Sequence, residues 1–264
     1  MKANIFVVDA FASRSFEGNP TMVAVFDEWP GDDIASKVAR ENQGTETAVV
    51  FPSESTEADY AVRWYLRDVE LDMCGHAALG VAHVAIRHLG FQGDAVRLLT
   101  RKGVYVVNQH GEELSLPLNP WSATELEVPP ALSHALRRPP SKAYQTRDLM
   151  AVFDKQEQVA TLRPDLERIE KLETFGVIAT APGEEDVDFV SRFFAPRVGV
   201  PEDAVSCSAH RTLVPYWANH LGKTDLIARQ LSPRGGTIHC RLLNGQVFIS
   251  GRTSTYLEGK LTIQ

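Results

Sequence analysis

Two short runs bring together side chains able to carry protons and hold anions. They are Cys74-Gly75-His76-Ala77-Ala78-Leu79 and Ser206-Cys207-Ser208-Ala209-His210. Each opens a segment with helical apolar spacing, Gly80 to His88 and Thr212 to His220. The first turn of a helix leaves backbone N–H groups unpaired and carries a partial positive charge, so two such starts suit an anion, a carboxylate above all. Gly75, Ala77, Ser206 and Ser208 are small enough to let a ligand approach, and either serine offers a hydroxyl donor. Donors placed there also stabilise the charge that builds on a carbonyl when the neighbouring carbon loses a proton, which makes carbon-acid chemistry the expected class. A proton carrier is then needed. The candidates near these runs are Glu46, Cys74, His76, Asp203, Cys207 and His210, which residue type alone does not rank. Packing and capping are the competing reasons for small residues at a helix start.

The elements that must position these side chains are written twice. Asn4–Val8 and Met22–Phe26 read as strands around a loop containing Gly18-Asn19-Pro20, Asp32–Arg40 as a helix, and Thr47–Phe51 as a third strand. Four blocks then recur in order. Met22–Phe26 is echoed by Leu149–Phe153, and Thr47–Phe51 by Thr174–Ile178. Val62-Arg63-Trp64-Tyr65 is echoed by Ser191-Arg192-Phe193-Phe194, each followed by one of the two small-residue runs. Paired hairpins close the series, Gly103–Pro117 turning near His110-Gly111 and Gly236–Ser250 turning at Asn244-Gly245. Two lobes of mixed strand and helix follow, with the site expected in the cleft between them. The first lobe is expected over 1–118, with the final strand, about 255–264, a candidate to join it. The Pro-rich stretch 119–140 is the expected crossing and 141–254 the second lobe.

Composition narrows the field. A chain of 264 residues, 44% hydrophobic and 23% charged, can bury one large core or two modest ones. A formal net charge of -7 opposes the cationic surface that nucleic-acid binding needs. The apolar run in Met1–Phe11 is broken by Asp9 and is too short for a signal peptide or a membrane span. Three cysteines, Cys74, Cys207 and Cys240, contain no C-x-x-C pair. A cytoplasmic protein without a membrane or nucleic-acid partner is the expectation.

Gly18-Asn19-Pro20, Thr45-Glu46-Thr47, Arg63-Trp64-Tyr65, Met73-Cys74-Gly75-His76-Ala77 and Arg192-Phe193-Phe194-Ala195-Pro196 resemble successive landmarks of the phenazine-biosynthesis isomerase (PhzF-like) family. So does Pro201-Glu202-Asp203-Ala204-Val205-Ser206-Cys207-Ser208-Ala209-His210 with Pro215-Tyr216-Trp217, against a family pattern reading E-D-P-V-T-G-S-A-H and then P-Y-W. The resemblance spans nearly the whole chain. It implies an α+β, diaminopimelate-epimerase-like fold of two pseudo-symmetric lobes, each a mostly antiparallel sheet or open barrel around a central helix. It also implies a cofactor-independent isomerase acting on a small carboxylate, with Glu46 as acid/base, His76 and Asp203 as polar partners, Ser208 as the site serine and Gly75 as a backbone contributor. Neither a metal nor an organic cofactor is implied, and the resemblance is compatible with a homodimer. For Glu46 to alternate between accepting and donating, burial is expected to raise its pKa toward the working pH.

Three positions depart from the pattern: Ala204 stands for proline, Gln43-Gly44 for Asn-Leu, and Cys207 for glycine. Met73-Cys74-Gly75-His76 also resembles the first cysteine motif of proline racemases and diaminopimelate epimerases, which use two opposed thiols activated at helix starts. The ungapped counterpart of Cys74 is however Ser206. Cys207 stands one residue away, about 100° round the helix. The remaining alternatives are a binding protein that keeps the site without turnover, and a zinc enzyme built from Cys74, His76, Cys207, His210, His239 and Cys240, whose spacing matches no recurrent zinc pattern. Ser232-Pro233-Arg234-Gly235-Gly236 is a further candidate anion cradle, through the backbone of Gly235 and Gly236.

Overall fold

The computed structural model describes residues 1–42, 45–67 and 69–264, so the departure at Gln43-Gly44 lies outside the described residues. Its elements run β1 (Lys2–Ala10), β2 (Asn19–Val25), α1 (Asp32–Glu41), β3 (Glu46–Pro52), β4 (Tyr60–Leu66), β5 (Val69–Leu71), α2 (Gly75–His88), β6 (Ala95–Thr100), β7 (Gly103–His110) and β8 (Glu113–Leu118). There follow β9 (Thr124–Leu126), α3 (Pro130–Leu136), β10 (Lys142–Gln145), β11 (Leu149–Val152), α4 (Gln156–Ala160), α5 (Leu166–Glu170), β12 (Val177–Pro182) and β13 (Phe189–Ala195). The chain ends with β14 (Val200–Asp203), α6 (Cys207–Leu221), β15 (Asp225–Gln230), β16 (Gly236–Leu243) and β17 (Gln246–Thr262). These group into two compact units, Met1–Pro117 with Ser250–Gln264, and Leu118–Ile249. Among the described residues no helix is long and apolar enough to cross a membrane.

In the first unit the strands close on themselves. β1 pairs antiparallel with β2, β2 parallel with β3, β3 antiparallel with β4, and β4 parallel with β6. The antiparallel pairs β6–β7 and β7–β8 continue the ring, and β17 pairs with both β8 and β1 to shut it. α2 packs against β1, β2, β3, β6 and β7. Its sequence is apolar around most of the circumference, and every residue from Gly75 to Ala85 is buried, the pattern of a helix enclosed by other elements. Strand periodicity divides the residues between the two faces. Met22, Ala24, Phe26 and Val49 pack on Ala35, Val38 and Ala39 of α1. Thr21 and Val23, of opposite parity, face α2, where a Cβ on Gly80 would collide with the Thr21 methyl and touch that of Val23 at 3.8 Å.

The second unit repeats this order. β11 runs parallel to β12, β12 antiparallel to β13, β13 antiparallel to β14 and parallel to β15, and β15 antiparallel to β16. Leu149, Ala151 and Phe153 face a layer that includes Leu132 and Leu136 of α3, just as their counterparts face α1. α6 stands where α2 does in the order. The Pro-rich stretch holds β9 and α3 and lies within this unit. The strand expected over Thr174–Ile178 starts only at Val177, because Thr174 folds its hydroxyl onto the Arg147 and Gly176 carbonyls in the preceding loop. Asn244 and Gly245 both take positive φ, 50° and 75°, as the hairpin dipeptide requires. Arg63 on β4 and Arg192 on β13 pair with Glu70 on β5 and Glu202 on β14, so the repeated arginine forms an ion pair to the following strand in each unit.

His210, fully buried in α6, donates Nδ1–H to the Ser206 carbonyl at 2.7 Å, and its Nε2 has no hydrogen-bond partner. Burial lowers its pKa to about 4, so it stays neutral at physiological pH. A histidine whose folded pKa lies below the unfolded value gives up stability as pH falls from about 6.5 toward 4, because the unfolded chain binds the proton first. Between pH 7.5 and 4.5 His210 is expected to cost roughly 2–3 kcal/mol. Urea unfolding of wild type and His210→Gln at both pH values checks this: the acid-induced loss should be smaller in the variant by that amount, and equal losses would remove the assignment.

Candidate active site

Parity on two strands and the start of one helix assemble a site in the first unit. Glu46 is the first residue of β3 and lies opposite Thr21 in the parallel register, on the face away from Val49 and hence toward α2. The Thr21 hydroxyl donates to the Glu46 carbonyl at 3.0 Å and the Thr45 hydroxyl to the Pro20 carbonyl, tying β2 to β3 at this end. Cys74 caps α2 and His76 is its second residue. The Glu46 carboxylate Oε2 lies 3.2 Å from His76 Nε2, and Asn19 Nδ2 lies 3.3 Å from His76 Nδ1. Cys74 Sγ lies 3.7 Å from both ring nitrogens, against the ring and not aligned on either. His76 and Cys74 are buried, while the Glu46 side chain keeps 19% exposure and is the edge that a small molecule can reach.

The electrostatics differ from expectation at Glu46. Burial pushes the Glu46 carboxyl up, as anticipated, but His76 beside it more than offsets this and holds it below its ordinary value. Burial opposes charge on His76, yet Cys74 and Glu46 outweigh it and raise the imidazole well above its usual value. Both shifts favour a carboxylate on Glu46 paired with an imidazolium on His76. Burial, assisted by the Glu46 charge, pushes the Cys74 thiol up in spite of His76, so the helix start does not deliver a thiolate.

The second unit places the other expected residues about the start of α6. Ser206 caps α6 as Cys74 caps α2, which makes Ser206 the counterpart of Cys74 and leaves Cys207, buried at the first helical position, out of that register. Ser206 Oγ accepts from the Ala209 amide at 3.4 Å. Gln230, fully buried, accepts from the Ser206 amide at 2.9 Å and donates to the Asp203 carbonyl at 2.7 Å, fixing the loop that carries Ala204. Arg147 donates Nη2 to Ser208 Oγ at 3.1 Å, and because a guanidinium can only donate, the Ser208 hydroxyl hydrogen is turned elsewhere. Arg147 is itself held by buried Asp148 at 3.0 and 3.1 Å, with its guanidinium carbon 3.9 Å from the Phe175 ring centre and 4.6 Å from that of Trp121.

Three features went unread in the sequence: Arg147, Gln230, and the contact of Asn19 with His76. The repeat held a signal for Arg147, since the Leu149–Phe153 echo of Met22–Phe26 sets residues 146–148 opposite 19–21. No signal marks Gln230 within its alternating strand. At the Gly235-Gly236 candidate cradle the backbone is engaged within the turn. The Gly235 amide donates to Ser232 Oγ at 3.0 Å, Ser232 donates to the Ala204 carbonyl at 2.7 Å, and Gly236 pairs with Gln230, so the segment is a closed turn. Of the six residues weighed as zinc ligands, Cys74 and His76 form a metal-like cluster among the described residues, and they do so with Glu46. Cys74, Cys207 and Cys240 are all buried free thiols.

Residues 8–260 match the family model described as phenazine biosynthesis-like protein. An uncharacterised isomerase of Pseudomonas aeruginosa is 39% identical, the match covering 99% of both chains. The crystal structure of a PhzF-family phenazine biosynthesis protein of Enterococcus faecalis superposes with a TM-score of 0.95 at 34% identity, covering 100% of both chains. A probable proline racemase from Agrobacterium radiobacter, 14% identical with a TM-score of 0.66 over 99% of this chain and 93% of its own, shares the fold. An α+β fold in which strands close round a helix, a site that pairs a carboxylate with an imidazole, and relatives named isomerases agree: the chain belongs to the phenazine biosynthesis-like (PhzF) family and is an isomerase of that family.

Proposed function

We propose that Glu46 shuttles a proton between two carbons of one small carboxylate substrate, with no resident cofactor. The contact between Glu46 and His76 at 3.2 Å carries this reading, because it keeps a buried carboxylate ionised at an accessible edge. Glu46 takes a proton from a carbon next to an unsaturated or carbonyl group, and the electron pair moves into that group. The imidazolium of His76 offsets the negative charge that develops as Glu46 becomes neutral. The Glu46 carboxyl then returns the same proton to a second carbon, so the double bond shifts and nothing else is consumed. Both ring nitrogens of an imidazolium donate, so Asn19 orients the ring with its amide turned to present the oxygen to Nδ1. In the second unit we read Ser208, with its hydroxyl set by Arg147, as a carboxylate anchor, and Asp203 as a polar partner.

The thiol-based racemase reading finds less support. It needs a thiolate at Cys74, where burial favours the thiol, and a second thiol at the position that Ser206 occupies. The test is incubation of wild type and Glu46→Gln with small unsaturated or hydroxylated carboxylates in D₂O, following deuterium entry and new isomers by NMR. Exchange and isomer formation in wild type alone support the reading. Binding of carboxylates with no exchange at any carbon would replace it with a binding function.

A further inference from the structure

We infer that Glu46, Cys74 and His76 also form a binding site for a thiophilic divalent cation of the zinc class. Carboxylate, thiolate and imidazole are the three zinc donors that proteins use, and one atom from each lies within 4.8 Å of the others. Two of the three donor separations are close to those around a tetrahedral ion. Zinc bonds of the usual lengths put neighbouring imidazole nitrogen and carboxylate oxygen about 3.4 Å apart, and thiolate sulfur and imidazole nitrogen about 3.6 Å apart. The observed separations are 3.2 Å for His76 Nε2 to Glu46 Oε2 and 3.7 Å for Cys74 Sγ to His76 Nε2. Sγ is equally far from Nδ1, at 3.7 Å, so uptake of an ion requires the His76 ring to turn Nε2 toward Sγ and the Glu46 carboxylate to swing aside to make room.

The elements fix the backbone positions from which the three side chains start. Cys74 and His76 are fixed by the start of α2 inside the closed ring of strands, and Glu46 by its register against Thr21. Asn19, whose amide nitrogen faces His76 Nδ1 at 3.3 Å, becomes an outer-shell partner once its amide turns to present the oxygen to the Nδ1–H that remains when Nε2 holds a metal. Three protein donors leave the fourth position for water, and the exposed edge of Glu46 is the route in. On binding, the Cys74 thiol and the His76 imidazolium each release a proton to solvent, and no redox change occurs. Occupancy removes Glu46 from proton transfer, so the cation is an inhibitor of the isomerase. That consequence rests on the function proposed above, whereas the site itself does not.

Cobalt(II), titrated into the purified and metal-stripped protein without substrate, reports the site through a thiolate-to-cobalt charge-transfer band in the near ultraviolet. One equivalent is expected to produce the band, Cys74→Ser to abolish it, Cys240→Ser to leave it intact, and zinc to displace the cobalt. Glu46→Gln should retain the band while weakening cobalt and zinc binding by about tenfold or more, a loss of the order seen when support around a metal site is removed. Melting curves of each variant confirm that it is folded. Absence of the band in wild type, or its persistence in Cys74→Ser, would overturn the site. Zinc added to the D₂O assay then tests inhibition. Should Glu46→Gln retain exchange, the acid/base reading fails while the cobalt titration still decides the metal site.

Discussion

In Glu46→Gln, exchange of the substrate's carbon-bound proton is expected to fall by about 10²–10⁴-fold while the melting temperature stays near that of wild type. Glutamine keeps the shape and can still accept from His76 Nε2 across the 3.2 Å contact, so the site stays assembled. Only the basic oxygen is lost. The pH profile gives a second readout. Catalysis needs Glu46 ionised, and its pKa lies below the ordinary 4.5, so the acid limb should fall below that value; the alkaline limb reflects loss of the His76 proton, well above 6.5. The two groups titrate as a coupled pair, and the limbs belong to the pair. In His76→Gln burial acts on Glu46 without its counterweight, so the acid limb should move above 4.5. Survival of exchange in Glu46→Gln with its loss in Cys74→Ala, accompanied by stereoinversion, would transfer the chemistry to the thiol.

The repeat was the most legible part of the sequence, because each echo is a covalent pattern that needs no tertiary information. Strand parity at Met22–Phe26, the apolar circumference of the segment after Gly75, and Asn244-Gly245 all identified elements that the structure contains. The family motifs likewise carried Glu46, Cys74 and His76, which meet within one cluster. Charge states were not legible in the same way. The shift on Glu46 is a balance between burial and one neighbour 30 residues away in the chain, and reading burial alone gave the wrong sign. The alternative of a Cys74 thiolate loses support for the converse reason, since a helix start favours a thiolate but this one lies inside a closed ring of strands. Arg147 and Gln230 act through long-range hydrogen bonds to Ser208 and Ser206, and nothing local distinguishes them from a loop arginine and a strand glutamine.

The two repeated arginines should respond very differently to the same substitution. Arg192→Met is expected to destabilise the protein by about 3–5 kcal/mol, because it breaks a buried pair and leaves the partner charge behind. Arg192 is 7% exposed and donates to both Glu202 oxygens at 2.7 and 2.8 Å. It also donates to the carbonyls of Val159 at 3.3 Å and Leu162 at 2.9 Å, tying the layer of short helices to β13. Arg63 lies 3.6 Å from Glu70, is more accessible, and shares that carboxylate with Arg101 at 2.9 Å. In Arg63→Met the glutamate keeps one cation, so the cost should be about 1 kcal/mol or less. Urea unfolding of both variants measures the difference. Arg192→Met combined with Glu202→Leu separates lost charge pairing from lost carbonyl support: removing the stranded carboxylate should recover part of the loss, and the remainder belongs to the two unpaired carbonyls. Equal losses in Arg63→Met and Arg192→Met would mean that the repeat, and not the local burial and hydrogen bonding, sets the contribution of these pairs.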